Sequence, residues 1–207
     1  MAIKVHGRVR SLAVRRVLAC LHEKELDFES VPSDSIAGDL NPFCLMPAFE
    51  DGDLKMFESR AITNYIAKAY ADKGSQLLYT SGKELAAMLQ WMEVEAHQYD
   101  TSASKLVREH LLKPMVMGVP ADPAVVEECE AKLVKVFDVY EARLGQAKYL
   151  AGDNFTLADL HHLPTLSFLM QTPSKKLVDS RPHVSAWVAD ISARPAWAKV
   201  VALGIQQ

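Results

Sequence analysis

The hydrophobic pattern of this chain changes character once, and that change limits what it can fold into. Up to about residue 70, short strand-like runs alternate with amphipathic helical ones. Beyond residue 81 the apolar residues recur only at helical spacing. "AIKVH" reads as a strand, and Val14, Val17, Leu18 and Leu21 follow at the i, i+3, i+4, i+7 spacing of a helix facing a core. "FESV" is strand-like again. In "PAFEDGDLKMF", Asp51-Gly52 lies between two strand-like runs and predicts a β-hairpin, because glycine accepts the positive φ of a tight turn. "ESRAITNYIAKAY" sets Ile62, Tyr65, Ile66 and Ala69 on one helix face, with Ser59 available to cap it. The order is βαβ, then ββα.

"ADKGSQLLYTS" breaks the pattern and reads as a linker. Past it, Leu85, Met88, Leu89 and Met92 open one long helix, and Leu133, Val136, Phe137, Tyr140 and Leu144 mark another. In "DNFTLADL", Thr156 and Asp159 form an acidic variant of the capping box, with Phe155 where a hydrophobic staple begins. Pro195 ends or kinks one helix and begins the next turn. The expected class is α/β plus all-α: a thioredoxin-like domain over residues 1–72, a linker at 73–81 and a helical bundle domain over 82–207.

The chain's 207 residues suffice for two small domains. At 49% hydrophobic, 24% charged and a net charge of -3, the chain lacks the basic surplus of a nucleic-acid binder and the polarity of a disordered segment. No apolar run reaches the ~18 residues of a membrane span, and "MAIKVHGRVR" lacks a secretory signal, so a cytoplasmic protein without membrane partners is expected. Cys20, Cys44 and Cys129 are odd in number and widely spread, which predicts reduced thiols rather than disulfides or a zinc motif. The adjacent His161 and His162 point in different directions on a helix and do not make a metal pair; solvent or core packing is expected. No metal is called for.

"RRVLACLHEKELDFESVP", "NPF", "PAFEDGDLKMFESRAI", "VFDVYEARL", "YLAGDNFTLADLHHLP" and "RPHVSAWVADISARPAW" together resemble the cytosolic glutathione transferases, and among them the plant phi class. The resemblance runs over nearly the whole chain. It implies an enzyme that conjugates the glutathione thiolate to hydrophobic electrophiles, with attack on a peroxide oxygen as a further activity. It also implies an N-terminal domain that holds glutathione as co-substrate, a helical domain that completes an apolar pocket, and a homodimer.

Ser11 matches the family's catalytic serine. Taken by itself, Ser11 is a favoured helix cap. A hydroxyl at a helix N-terminus also sits in partial positive charge, which favours an anion such as a thiolate. A thiol of pKa about 8.5 is only a few per cent ionised at neutral pH, so a donor aimed at sulfur raises the nucleophilic fraction. The resemblance further assigns Met46 and Pro47 to the peptide part of glutathione, with Pro47 at a cis peptide bond. Glu58 and Ser59 are assigned to its γ-glutamyl end, where a helix N-terminus suits the carboxylate and Glu58 the ammonium. Leu12, Leu112, Met115 and Met117 are assigned to the wall of the electrophile pocket, and Phe43 is a candidate intersubunit anchor.

The chain also departs from that pattern. Between the strand ending near Val31 and "NPF", phi-class chains carry roughly ten more residues, including a short helix and a His-Lys pair for the glycine carboxylate of glutathione. No His-Lys pair occurs between Ser30 and Pro47, and Leu45 stands where the family favours glutamine. A charge-assisted hydrogen bond contributes about 1.5–3 kcal/mol, so without these groups weakened glutathione binding is expected. Arg8 and Arg10 are either substitutes for them or solvated surface charges. Cys44 stands where the family has glycine, and a thiol oxidoreductase acting through it is a further reading. A carrier of flat hydrophobic metabolites, with little glutathione turnover, is the rival to the enzyme.

Overall fold

The computed structural model describes residues 3–205, which divide into two compact units. The first runs to Leu78 and takes in the residues from Ala193 onward; the second is Tyr79–Ser192.

The first unit is built on four short strands, β1 (Ile3–His6), β2 (Phe28–Val31), β3 (Ala48–Asp51) and β4 (Leu54–Phe57), in the spatial order β2-β1-β3-β4. β1 pairs parallel with β2 and antiparallel with β3, and β3 pairs antiparallel with β4 through the turn that "EDGD" predicts, with Gly52 at φ 66°. Successive side chains on a strand point to opposite faces, which sorts the sheet into two surfaces. Ile3, Val5 and Phe49 are buried beneath α1 (Leu12–Glu23) and α2 (Ser59–Ala69), which pack on each other over that face. Val14, Val17, Leu18 and Leu21 are wholly buried, as their spacing predicts.

The opposite face bears paired charges: Lys4 with Glu29 at 3.9 Å, His6 with Glu50 at 2.6 Å and Lys55 with Asp39 at 3.3 Å. The segment from 32 to 47 that follows β2 contains neither helix nor strand.

The C-terminal helix, α10 (Pro195–Ile205), corrects a domain boundary that assigns everything from 82 to 207 to one helical body. α10 packs on α1, burying Ala196, Trp197 and Val200. Just before it, Arg194 donates Nε and Nη2 to the two oxygens of the buried Glu23, at 2.5 and 2.7 Å. Helical periodicity reports that a segment is a helix and which face is apolar; it does not report which body that face covers.

The second unit holds α3 (Gly82–Val94), α4 (Asp100–Val107), α5 (Pro123–Leu144), α6 (Leu157–Leu160), α7 (Leu163–Leu169), α8 (Lys176–Asp179) and α9 (Pro182–Ser192). Wider π-type turns occupy Glu95–Tyr99 and Arg108–Met117. Pro114 lies inside the latter, which ends at Gly118 in the left-handed conformation, φ 65°. Tyr99, Phe137, Tyr140, His162 and Trp187 form an aromatic core of mainly edge-to-face and tilted contacts. His162 is held between the Tyr140 hydroxyl and the Ala158 carbonyl, each at 2.9 Å, and His161 is equally buried, 3.9 Å from Glu95. Both histidines belong to the core.

Candidate active site

β1 stops at His6 because Gly7 turns the chain away with φ 135°, donating its N–H to Val31 O at 3.0 Å. A side chain at Gly7 would put Cβ 2.7 Å from Val14 and 3.0 Å from Met46, so only glycine lets the β1–α1 loop approach Met46 this closely. Ser11 follows as the N-cap of α1, with extended φ and ψ, its N–H bonded to Arg8 O at 2.9 Å. Its hydroxyl accepts from Val14 N–H at 3.5 Å, beyond the 2.7–3.2 Å of a strong bond. Among the described residues nothing accepts the Ser11 O–H proton. The side chain is half-buried, a weak cap with an uncommitted donor.

The Met46–Pro47 bond is cis, at the place the resemblance assigns, and His6 pairs with Ala48 in the ladder, so the end of β1 and the start of β3 lie side by side. Pro47 is buried, and Met46 is half-exposed. Glu58 precedes α2 with φ 68° and ψ 104°, a combination L residues rarely adopt and one that costs on the order of 1–3 kcal/mol. Ser59 is not the cap that its sequence position suggests. It is the first residue of α2, and its hydroxyl accepts from the buried Arg16 Nη1 at 2.9 Å, tying the two helices together. Ser11, Met46, Pro47, Glu58 and Ser59 thus all lie in the first unit, at the end of β1, the start of β3 and the N-termini of α1 and α2.

Two contributors escaped sequence reasoning. Arg16, which nothing in the sequence singles out, is buried, as is Arg15 beside it. Asn41, in "NPF", is also buried. Its Nδ2 donates to Leu45 O at 2.6 Å and its Oδ1 accepts from Phe43 N–H at 3.0 Å, shaping the turn into Met46. The signal for Asn41 was there: asparagine commonly hydrogen-bonds a backbone two residues on.

That turn presents Phe43 (67% exposed) and Leu45 (63%) to solvent, Phe43 touching Phe57 edge-on at 6.0 Å. Cys44 is exposed at φ 53°, whereas Cys20 and Cys129 are buried and burial pushes both thiols up. Arg8 forks Nε and Nη2 onto the Asp34 carboxylate, which raises the Arg8 pKa and lowers that of Asp34. Of the assigned electrophile residues, Leu12 is half-buried on α1, and Leu112, Met115 and Met117 are exposed on the π-type segment of the second unit. The buried Glu109 fixes that segment by accepting from Lys113 Nζ at 2.6 Å and Asp122 N–H at 2.9 Å, donors that lower its pKa. Among the described residues no group of three His, Cys, Asp or Glu side chains is placed to hold a metal, and no helix is long and apolar enough to cross a membrane.

A mixed four-stranded sheet carrying a cis-proline and a helix-capping serine, with a helical unit following in the chain, defines a thioredoxin-like protein of the two-domain type. The family description "Glutathione S-transferase, N-terminal domain" matches residues 1–68, and "Glutathione S-transferase, C-terminal domain" matches 105–195. The chain is 59% identical over 209 residues to a glutathione S-transferase of Hyoscyamus muticus, covering 97% of this chain and 98% of the relative. Among solved structures it is similar to glutathione transferase F7 from Populus trichocarpa, at 43% identity and a TM-score of 0.92, covering 98% of this chain and 99% of that one. It is also similar to glutathione S-transferase I from maize in complex with an atrazine glutathione conjugate, at 39% identity and a TM-score of 0.89, covering 99% and 98%. This chain belongs to the glutathione S-transferase family, in its F or phi class. Glutathione is its co-substrate, and conjugation of the glutathione thiolate to hydrophobic electrophiles is its activity.

Proposed function

We propose that Ser11 is the residue that activates glutathione, by donating its hydroxyl proton to the thiolate sulfur. What carries this reading is the hydroxyl itself: half-buried at the N-terminus of α1, weakly bonded to Val14 N–H, and with no described acceptor for its proton. Such a donor acts together with the free N–H groups of the first helical turn, and a developing anion there is favoured by the helix dipole. Met46 supplies backbone N–H and C=O to the peptide part of glutathione. The γ-glutamyl end meets Glu58 and the N-terminus of α2, where Arg16 fixes Ser59. The strained Glu58 backbone fits a residue held for ligand rather than for stability. Leu12 in the first unit and Leu112, Met115 and Met117 in the second are apolar side chains of the kind an electrophile requires, and the maize relative, in complex with an atrazine glutathione conjugate, supports an atrazine-like substrate class.

Ser11→Ala lowers turnover at saturating glutathione at least about tenfold, or about 1.4 kcal/mol in the barrier, while the protein stays folded by circular dichroism. Unchanged turnover in a steady-state titration with a general aryl halide rejects the role.

A second role beside conjugation, carriage of hydrophobic molecules with low turnover, is favoured by one observation: the segment from 32 to 47 has no His-Lys pair and points Leu45 into solvent. The same titration, run beside a hydrophobic-dye binding assay, separates the two. Phe43, exposed together with Leu45 on one turn, supports a homodimer anchored by that ring, since grouped exposed apolar side chains mark an interaction site where a single one does not. Phe43→Ala then shifts the sedimentation coefficient toward monomer at micromolar concentration. The two buried, unpaired cysteines fit a cytoplasmic protein.

A further inference from the structure

A second groove lies in the first unit, at the other end of α1 from Ser11. Ser11 and His22 are separated by eleven residues, about 16 Å along the helix axis. The groove has a volume of about 840 Å3, within the range of small-molecule sites. It is bounded by the end of α1, the turn that follows, the edge strand β2 and α10.

Two buried side-chain atoms, His22 Nε2 and Ser30 Oγ, have no hydrogen-bond partner, and both residues line this groove. Buried polar atoms are nearly always satisfied, so two orphans converging on one cavity call for a partner that the chain does not supply. Burial and the nearby charge of Lys199 hold the His22 imidazole below its ordinary pKa, so at neutral pH Nε2 meets a ligand as part of a neutral ring. The ring of Phe28 lies edge-on to His22 at 5.2 Å, and Leu26 and Leu203 add apolar wall.

The charges at the rim are equally uncommitted. Lys199 is exposed and, among the described residues, has no carboxylate within ion-pair distance. Glu25 and Asp27 are exposed on the turn and likewise unpaired. Glu25 occupies φ 53° at the helix-terminating turn, where its N–H bonds His22 O at 3.2 Å and Leu26 N–H bonds Leu21 O at 3.0 Å. That position usually belongs to glycine. Here it holds a carboxylate beside the groove.

We propose that this groove binds an aromatic α-amino acid whose ring carries a hydrogen-bonding group: the ring rests against Phe28, Leu26 and Leu203, and its polar edge pairs with His22 and Ser30. The ligand's carboxylate meets Lys199 and its ammonium meets Glu25 and Asp27. A simple anion satisfies one rim charge and faces two like charges; a simple cation leaves Lys199 opposed. Only a zwitterion complements all three. Binding needs an outward adjustment of the Ser30 and His22 side chains, since both polar atoms are buried in the free protein.

The test is a titration of the isotope-labelled intact protein, saturated with glutathione, with L-tyrosine, following backbone amide shifts of residues 22–30 and 199–203. Saturable shifts confined to those amides, with a dissociation constant of about 1 mM or tighter, are expected. Three probes each lack one element: L-phenylalanine the ring hydroxyl, tyramine the carboxylate, 3-(4-hydroxyphenyl)propionate the ammonium. Each is expected to bind at least about fivefold more weakly. Lys199→Glu, at an exposed position, weakens tyrosine but tightens tyramine, and Ser30→Ala narrows the gap between tyrosine and phenylalanine. The proposal is overturned by absent shifts at these amides, by equal affinity for all four compounds, by tyrosine binding indifferent to Lys199→Glu, or by binding that glutathione abolishes. A crystal soaked with tyrosine that shows only ordered water on His22 and Ser30 overturns it as well.

Discussion

Two short stretches of this protein are built on opposite principles. In the Thr156–Asp159 capping box both polar side chains are inside and answered: Asp159 accepts from Leu150 N–H, Thr156 N–H, the Thr156 hydroxyl and Trp187 Nε1, at 3.0 to 3.3 Å. Thr156 in turn caps α6 through Ala158 N–H at 3.3 Å. From 32 to 47 the pattern is inverted: apolar Phe43 and Leu45 face solvent, while the polar Asn41 is buried holding the turn. The first stretch is a folding device, with nothing left over for a ligand. The second spends its internal bonds on displaying a surface. A dry, fully satisfied carboxylate is a stability element, whereas exposed apolar groups on a held turn leave apolar surface uncovered by the chain itself.

Breaking the first stretch has the largest expected effect. Asp159→Ala orphans four buried donors and costs about 3–5 kcal/mol, lowering the melting temperature by roughly 10 °C in calorimetry. Glutathione affinity of the fraction that remains folded is unchanged.

Rebuilding the second stretch should act on binding alone. Inserting a family-like loop with a His-Lys pair after Gly38, together with Leu45→Gln, restores up to three polar contacts and tightens glutathione about ten- to a hundredfold. The contacts grip the end of the tripeptide remote from sulfur, so kcat at saturation changes little. KM for glutathione in parent and graft is the measurement. Equal values make the missing segment dispensable; Arg8 meets that outcome already forked onto Asp34.

The smallest effect sharpens the comparison through pH. Burial raises the Asp159 pKa from 3.8 to about 6, against the pull of its four donors. The folded state therefore holds this proton more tightly than the unfolded chain. The residue's contribution to stability is full below about pH 4 and is lost as pH rises through about 6, at no more than about 1.4 kcal/mol per pH unit. Urea unfolding of the parent and of Asp159→Asn across pH 4–7 reads this as a falling difference; a rising one contradicts it.

Much of this was written locally. The core faces of α1 and α5, the hairpin at Asp51-Gly52 and the Thr156–Asp159 capping box follow from periods, turn chemistry and spacings that a few neighbouring residues contain. Ser11 was legible as a cap for the same reason, and its assignment to chemistry came from resemblance. What the sequence could not express is contact between distant positions. That Ser59 answers Arg16 instead of capping α2, that Gly7 must be bare to clear Met46, and that α10 returns to α1 through Arg194 and Glu23 are facts about residues 43, 39 and 171 positions apart. Local preference, on the order of a few tenths to 1 kcal/mol per residue, selects helix, strand or turn. Which apolar face meets which, and which buried donor finds which acceptor, is decided only when the whole core closes and each polar group must find its partner or go without.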